Sequence, residues 1–436
     1  MLAKLLGRAA FLSFLASAVA ASPALAEEKP AAIRIGVATF LSGPASVFGE
    51  PGKKAAELLA EDLNKRGGIL GVPVQLTFVD EGAGAEQLVT EYSRLVQGAS
   101  VDVFFAAISS GHCNKLAPLA EDLKILNILW DCGTQKIFET AKYRYVYRTV
   151  SNATPEVIAA LVYLLKAKPD IKTLAVVNQD YAWGRDSWAI FSATLKQVRP
   201  DIQVVAELFP KFGAADYSTE VSRLLALKPD VVFSTSWGGD LDTFMRQAGQ
   251  RGLTKTSLFV LPVGESSLER LGKDMPEGVI IGARGVGYFL HPELRGEPKF
   301  KAFVEAYKAK TGAYPIYPVF HMAQAFAALE GAYGKAAAAN GGKFPGKEQV
   351  VDAMKGLEFQ GFGHKVTLRD DGQGIADQIV GVTSKQEGFA FPVLDNMTIF
   401  PAAKFMPPSG TTSEAWIATL NGDLLKTEAP SFKHKP

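Results

Sequence analysis

The stretch IRIGVATFLSGPASVFGEPGKKAAELLAEDLNKRGGILGVPVQLTFV, residues 33–79, reads as one complete folding unit. Residues 33–39 form an almost unbroken apolar run, the pattern of a strand covered on both faces. A glycine- and proline-bearing loop, 40–52, follows. Ala56, Leu59 and Leu63 then line one helical stripe, and Gly67-Gly68 supplies a helix stop. A second apolar run at 72–79 completes a strand, helix, strand unit, the building block of a parallel sheet.

The same rhythm recurs along the chain. Runs at 101–108, 125–130, 173–177, 204–209, 231–234, 257–261 and 278–283 read as further strands, and Trp188, Phe191 and Leu195 form a second helical stripe. Alternation of this kind predicts parallel sheets with helices on both faces. Two blocks of it, 33–130 and 173–261, are separated by 139–156, where a short alternating strand interrupts the pattern and a crossover between two α/β lobes is expected. Helices are expected at 298–311 and 318–333, and short strands and turns from Phe359 onward, including RDDGQG at 369–374. The resulting organisation is a first lobe of 27–149 with 279–360, a second of 150–278 with 361–400, and an extension at 401–436.

The first residues carry an export signal. Lys4 and Arg8 precede an apolar stretch at 9–20, and Ala24-Leu25-Ala26 ends in small residues, so cleavage near Ala26 and a periplasmic product are expected. No later apolar run approaches the roughly 20 residues that span a bilayer. The chain holds 46 basic and 45 acidic side chains, and losing Lys4 and Arg8 with the leader leaves a net charge of about −1. Such a balance offers no electrostatic footprint for nucleic acid or an anionic membrane. Cys113 and Cys132 are the two cysteines, and in an oxidising compartment a disulfide is the first reading, two buried thiols the alternative.

Chemistry concentrates in AAISSGHCNKL, 106–116. Ser109, Ser110, His112 and Cys113 are sequence neighbours, which does not make a catalytic triad, and no G-x-S-x-G elbow occurs. The five histidines, His112, His291, His321, His364 and His434, show no H-x-x-x-H spacing, and there is no C-x-x-C, so no metal is expected. Phosphate-binding glycine loops are also missing, and no cofactor is expected. What remains is position. In open α/β sheets ligands bind beyond the carboxyl ends of strands, where Ser109-Ser110 follows one strand and 131–134 the next. A helix starting near Gly111 would aim free N–H groups at an anion, with the serine hydroxyls as added donors; the plainer reading is that Ser110 caps the helix. Loops after other predicted strands carry Phe48, Tyr181, Trp183 and Trp237, aromatics suited to clasping a flat or apolar ligand.

Residues 33–87, with their S-G-P…G loop, N-x-x-G-G-I-x-G helix end and following strand-Asp, resemble the periplasmic substrate-binding proteins of branched-chain amino-acid-type ABC importers, the Leu/Ile/Val-binding or type I class. The likeness continues through QDYAWGRD, DYSTEVSRL at 216–224 and FMRQAGQRGL at 244–253. It implies an α/β fold of two doubly wound parallel-sheet lobes joined by a three-stranded hinge that closes on ligand. It also implies that Ser110, with Ser109 beside it, and Thr134 hold a ligand carboxylate, flanked by Phe48, Trp183 and Trp237.

One position departs from the pattern. Amino-acid binders of this class often place an acid just after a proline on a late second-lobe loop, and here LPVGESS, 261–267, has Val263. An ammonium closed into a cleft without a counter-charge loses several kcal/mol of hydration. Glu265, Asp131 or Asp240 are the candidates to replace it; otherwise the ligand is an aromatic or keto acid, or a neutral amide. The expected role is capture of a small solute for an inner-membrane permease and its ATPase, by a monomeric, non-enzymatic protein. A ligand-sensing receptor subunit is the alternative, and an exported hydrolase the third reading.

Overall fold

The unit at 33–79 folds as strand, helix, strand. β1 (Ile33–Thr39) and β2 (Val74–Asp80) pair in parallel from Ile33↔Val74 to Thr39↔Asp80, and the helix Ser46–Lys65 crosses between them. The computed structural model describes residues 29–362 and 365–433. The leader expected at 1–26, like His364 and His434, lies outside them. The helix begins earlier than the 40–52 loop anticipated, so Phe48 sits in its first turn with Pro51 inside it.

Three more strands join this sheet: β3 (Val103–Phe105), β4 (Leu126–Leu129) and β5 (Val146–Arg148). The order is β2-β1-β3-β4-β5, all parallel. The chain then crosses to a second sheet containing β6 (Thr173–Val177), β7 (Gln203–Leu208), β8 (Val231–Phe233), β9 (Leu258–Leu261) and β10 (Ile280–Gly282). Its parallel part runs β7-β6-β8-β9-β10, the first winding repeated. Both sheets are sandwiched by helices and their central strands are fully buried, as the continuous apolar runs require.

β10 lies inside the segment expected with the first lobe, yet it bonds to β9 through Ile280↔Val260, so the second crossing follows Gly282. The chain returns to the first lobe as helices Pro298–Thr311 and Tyr317–Ala339, the latter against Ser46–Lys65. A small sheet of β11 (Glu358–Gln360), β12 (Lys365–Leu368) and β13 (Gly374–Ile375) follows. Gln373 there bridges Arg148 at the end of β5, so the third crossing comes after Ile375, past the boundary expected at 361. β14 (Gln378–Ser384) then extends the second sheet antiparallel to β10, and β15 (Val393–Phe400) pairs antiparallel to β14. From the 401–436 extension, β16 (Ser431–Phe432) adds an edge strand. Within that extension Ser413 bonds through its N–H to Glu139 Oε1 (3.0 Å) and through its hydroxyl to Thr154 Oγ1 (2.5 Å).

Among the described residues no helix is long and apolar enough to cross a membrane. Cys113, in helix Ser110–Leu123, is bonded to Cys132 after β4. The bridge closes a separation of 19 residues, for which loop-closure reasoning gives about 3 kcal/mol of stabilisation. Replacing both cysteines by serine is therefore expected to lower unfolding free energy by about that amount in urea titration, and unfolded, unreduced protein should show no thiol by colorimetric assay.

Candidate functional site

Winding of the order 2-1-3-4-5 reverses direction between the first and third strands, and the loops leaving those strands open a crevice. Both sheets have this switch point, and their carboxyl ends face each other. Phe48 follows β1 and Ser110 follows β3; Tyr181 and Trp183 follow β6 and Trp237 follows β8. Asp131 after β4, Val263 after β9 and Arg284 after β10 complete the ring with Ile108, Gly133 and Tyr317. The lobes are in contact across it. Phe48 meets Trp237 edge-on at 5.1 Å, and Asp186 of the second lobe accepts from Thr134 Oγ1 (2.6 Å) and pairs with Lys136 (2.6 Å). In this closed arrangement the cavity is about 10 Å³, room for roughly one water, so a solute enters only when the lobes part or the rings turn.

Of the side chains expected to bind ligand, Phe48, Ser110, Asp131, Trp183 and Trp237 line this one cavity, while Ser109, Thr134 and Glu265 do not. Ser110 Oγ accepts from the Thr134 N–H (3.1 Å), a bond that leaves the serine proton unused. Thr134 spends its hydroxyl on Asp186. Part of the backbone cradle is already taken: the Ile108 and Ser109 N–H groups donate to buried Glu81 at 2.8 and 3.1 Å, and the same carboxylate holds His112 Nδ1.

Among the described residues that line the cleft, no acid is left over for an ammonium. Val263 presents an aliphatic wall. Glu265 is buried and accepts from the Tyr317 N–H (2.9 Å), and burial pushes its carboxyl up to about 8, so it is mostly neutral at pH 7. Asp240 lies outside the lining and is engaged by Gln179 Nε2 (2.9 Å) and the Gly213 N–H (2.8 Å). Asp131 does face the cleft, but its oxygens hold Arg284 Nη1 (2.9 Å) and His321 Nδ1 (2.5 Å).

Arg284 dominates the electrostatics, and the sequence reading did not name it. Burial works against its charge, but the carboxylates of Asp131 and Glu156 outweigh that and raise its hold on the proton. Its Nε lies 3.3 Å from both Glu156 oxygens, and its guanidinium stands 5.1 Å from the Trp183 ring centre. Nη2 is buried and has no partner among the described residues. A Cβ on Gly133 would fall 2.5 Å from Nη2 and 2.3 Å from the Trp183 ring, so only glycine leaves that space open. The backbone at Arg284 is left-handed (φ 43°), a conformation uncommon outside glycine. The signal that would have found it is the one that found the others, a position directly after a strand. Tyr181 accepts from Trp237 Nε1 (2.6 Å), and Tyr317 stands between prolines at a helix start, where no strand rule points.

A sequence profile described as periplasmic binding protein matches residues 32–387. The chain belongs to the periplasmic binding protein family. Among its relatives is Leu/Ile/Val-binding protein homolog 7 of Brucella abortus (strain 2308), 26% identical over 398 residues that cover 83% of this chain and 98% of the relative. The Leu/Ile/Val-binding protein of Escherichia coli K12 is 25% identical over 289 residues, 66% of this chain and 74% of that one. A solute-binding protein of an ABC transporter from Rhodopseudomonas palustris BisB5, solved with 3,4-dihydroxybenzoic acid, superposes with a TM-score of 0.73 at 22% identity, covering 88% of this chain and all of the other. An amino-acid ABC transporter substrate-binding protein from Pseudomonas fluorescens Pf-5 scores equally at 18% identity, covering 87% and 98%.

The neutral carboxyl of Glu265 sets a pH test for this binding protein. Its folded value lies above that of an unfolded glutamate, so the folded state binds the extra proton and stability falls as pH rises between about 4.5 and 8. Glu265→Gln keeps an acceptor for Tyr317 and removes that slope. Thermal unfolding should show the variant more stable than the parent at pH 8, with the difference vanishing toward pH 5.

Proposed function

We propose that this protein is the exported solute-binding component of an ABC importer, and that its solute is a small aromatic carboxylate held between the lobes by Arg284. The observation that carries the reading is the unpartnered, buried Nη2 of Arg284 in a cleft walled by Phe48, Tyr181, Trp183, Trp237 and Tyr317. A buried guanidinium N–H without an acceptor is costly, and a ligand carboxylate supplies one with a charge-assisted bond. The Ser110 hydroxyl stands in the same lining as a second donor.

Rings favour a flat ligand body over a branched aliphatic one, and Val263 with the engaged Asp131 favours a ligand without an ammonium. Solved relatives of the same fold carry benzoate and 4-hydroxybenzoate as well as the dihydroxy acid, which supports the aromatic class. Binding bridges both lobes and so selects the closed form, which a membrane permease with its ATPase would recognise. In this reading the leader directs the chain to the periplasm, is cleaved near Ala26, and the mature protein works as a monomer.

A thermal-shift screen of benzoate, 4-hydroxybenzoate, aliphatic keto acids, leucine and benzamide tests the assignment, because a ligand at a hundred times its Kd adds about 2.7 kcal/mol of stability. The benzoates are expected to raise Tm and leucine to leave it unchanged; the reverse result overturns the reading. Arg284→Lys keeps the charge but loses the fork, and calorimetry should show benzoate binding weakened by about 30-fold, the equivalent of one charged hydrogen bond of about 2 kcal/mol.

A further inference from the structure

Arg284 is shared between two internal carboxylates before any ligand arrives, and the two are held unequally. Asp131 makes a 2.9 Å bond to Nη1 and a second bond to His321, whose Nε2 faces the Arg284 carbonyl at 2.7 Å. Glu156, in the first turn of helix Ala153–Ala167, has only the two 3.3 Å contacts to Nε and is buried at 3% exposure. The charged groups that face it are Arg284 from the second crossing, Asp131 from the loop after β4, and Arg148 at the end of β5; Tyr181, Tyr317 and His321, the last from the helix Tyr317–Ala339, are the other titratable groups of the cluster. Burial first, and Asp131 after the opposing pull of Arg284, push the Glu156 carboxyl up to about 7.

A ligand carboxylate on Nη2 would be the third around one guanidinium. The added negative charge raises the proton affinity of the carboxylates around it, and the one with the longest bonds gives up least by accepting a proton. We propose that Glu156 sets the charge selectivity of the cleft: it takes up a proton from solvent when an anionic solute occupies Arg284, and not when an uncharged isostere does. This rests on the carboxylate reading above. The linkage has a definite sign. Where Glu156 is ionised in the free protein, binding an anion must draw a proton from the buffer, so affinity falls with rising pH by up to about tenfold per unit. For a neutral amide the affinity is flat.

The test is calorimetric titration of the purified protein with benzoate and with benzamide, in phosphate and in Tris at pH 7.5, and across pH 6 to 8.5. Benzoate heats are expected to differ between the buffers in the sense of proton uptake, and its affinity to fall by up to about tenfold between pH 7.5 and 8.5; benzamide, where it binds, should show neither effect. Glu156→Gln keeps an acceptor for Nε and should bind benzoate with a flat pH profile and buffer-independent heat. Benzoate binding with no buffer dependence in the parent overturns the proposal and leaves the carboxylate reading standing, as does uptake that survives in the variant, which moves the proton to His321. Should the variant fail to fold, a flat profile in the parent alone overturns it. Failure of benzoate and its hydroxylated relatives to bind at all overturns both readings.

Discussion

A guanidinium removed from water must be balanced by groups that reach it. Arg284 meets that demand with residues from three parts of the chain: Asp131 from a first-lobe loop, Glu156 from the first helix of the second lobe, and its own crossing strand, pinned by His321. Deleting one partner of such a buried pair typically costs about 3–5 kcal/mol, because the survivor is left charged and dry. The left-handed backbone at Arg284, followed by Gly285 at φ 106°, turns the side chain back toward the cleft. One of the three crossings and the chemistry of the cleft thus share the same few atoms.

The remainder of the architecture serves to bring strand ends together. Two sheets with one winding each leave a crevice where their strand order reverses, and placing the crevices mouth to mouth makes a cleft from short loops on rigid supports. Binding groups therefore come from many sequence positions while each is anchored by a buried strand.

Most of this frame was legible in the sequence because fully covered parallel strands must be apolar throughout. The runs at 33–39 and 173–177 and the helix at 298–311 coincide with observed elements, and the run at 101–108 overshoots because the apolar residues after Phe105 stay buried after the sheet ends. Phe48, Ser110, Asp131, Trp183 and Trp237 were reachable through the strand-end rule. Thr134 and Glu265 were expected in the cleft from pattern alone, yet their side-chain bonds point elsewhere, to Asp186 and to the Tyr317 backbone. Arg284 was missed because a lone arginine after a predicted strand looks like any solvated charge; its value comes from Asp131 and Glu156, 153 and 128 residues away. Periodicity carries no record of such convergence.

Ser413 gives the final segment a mechanical meaning. It joins Glu139, beside the first sheet, to Thr154, at the head of the second lobe's first helix. Any movement that separates these two residues has to break one buried and one half-buried bond or carry the segment with it. The tail is thus a clasp between a helix of each lobe, made of bonds that lie outside the lining of the cleft.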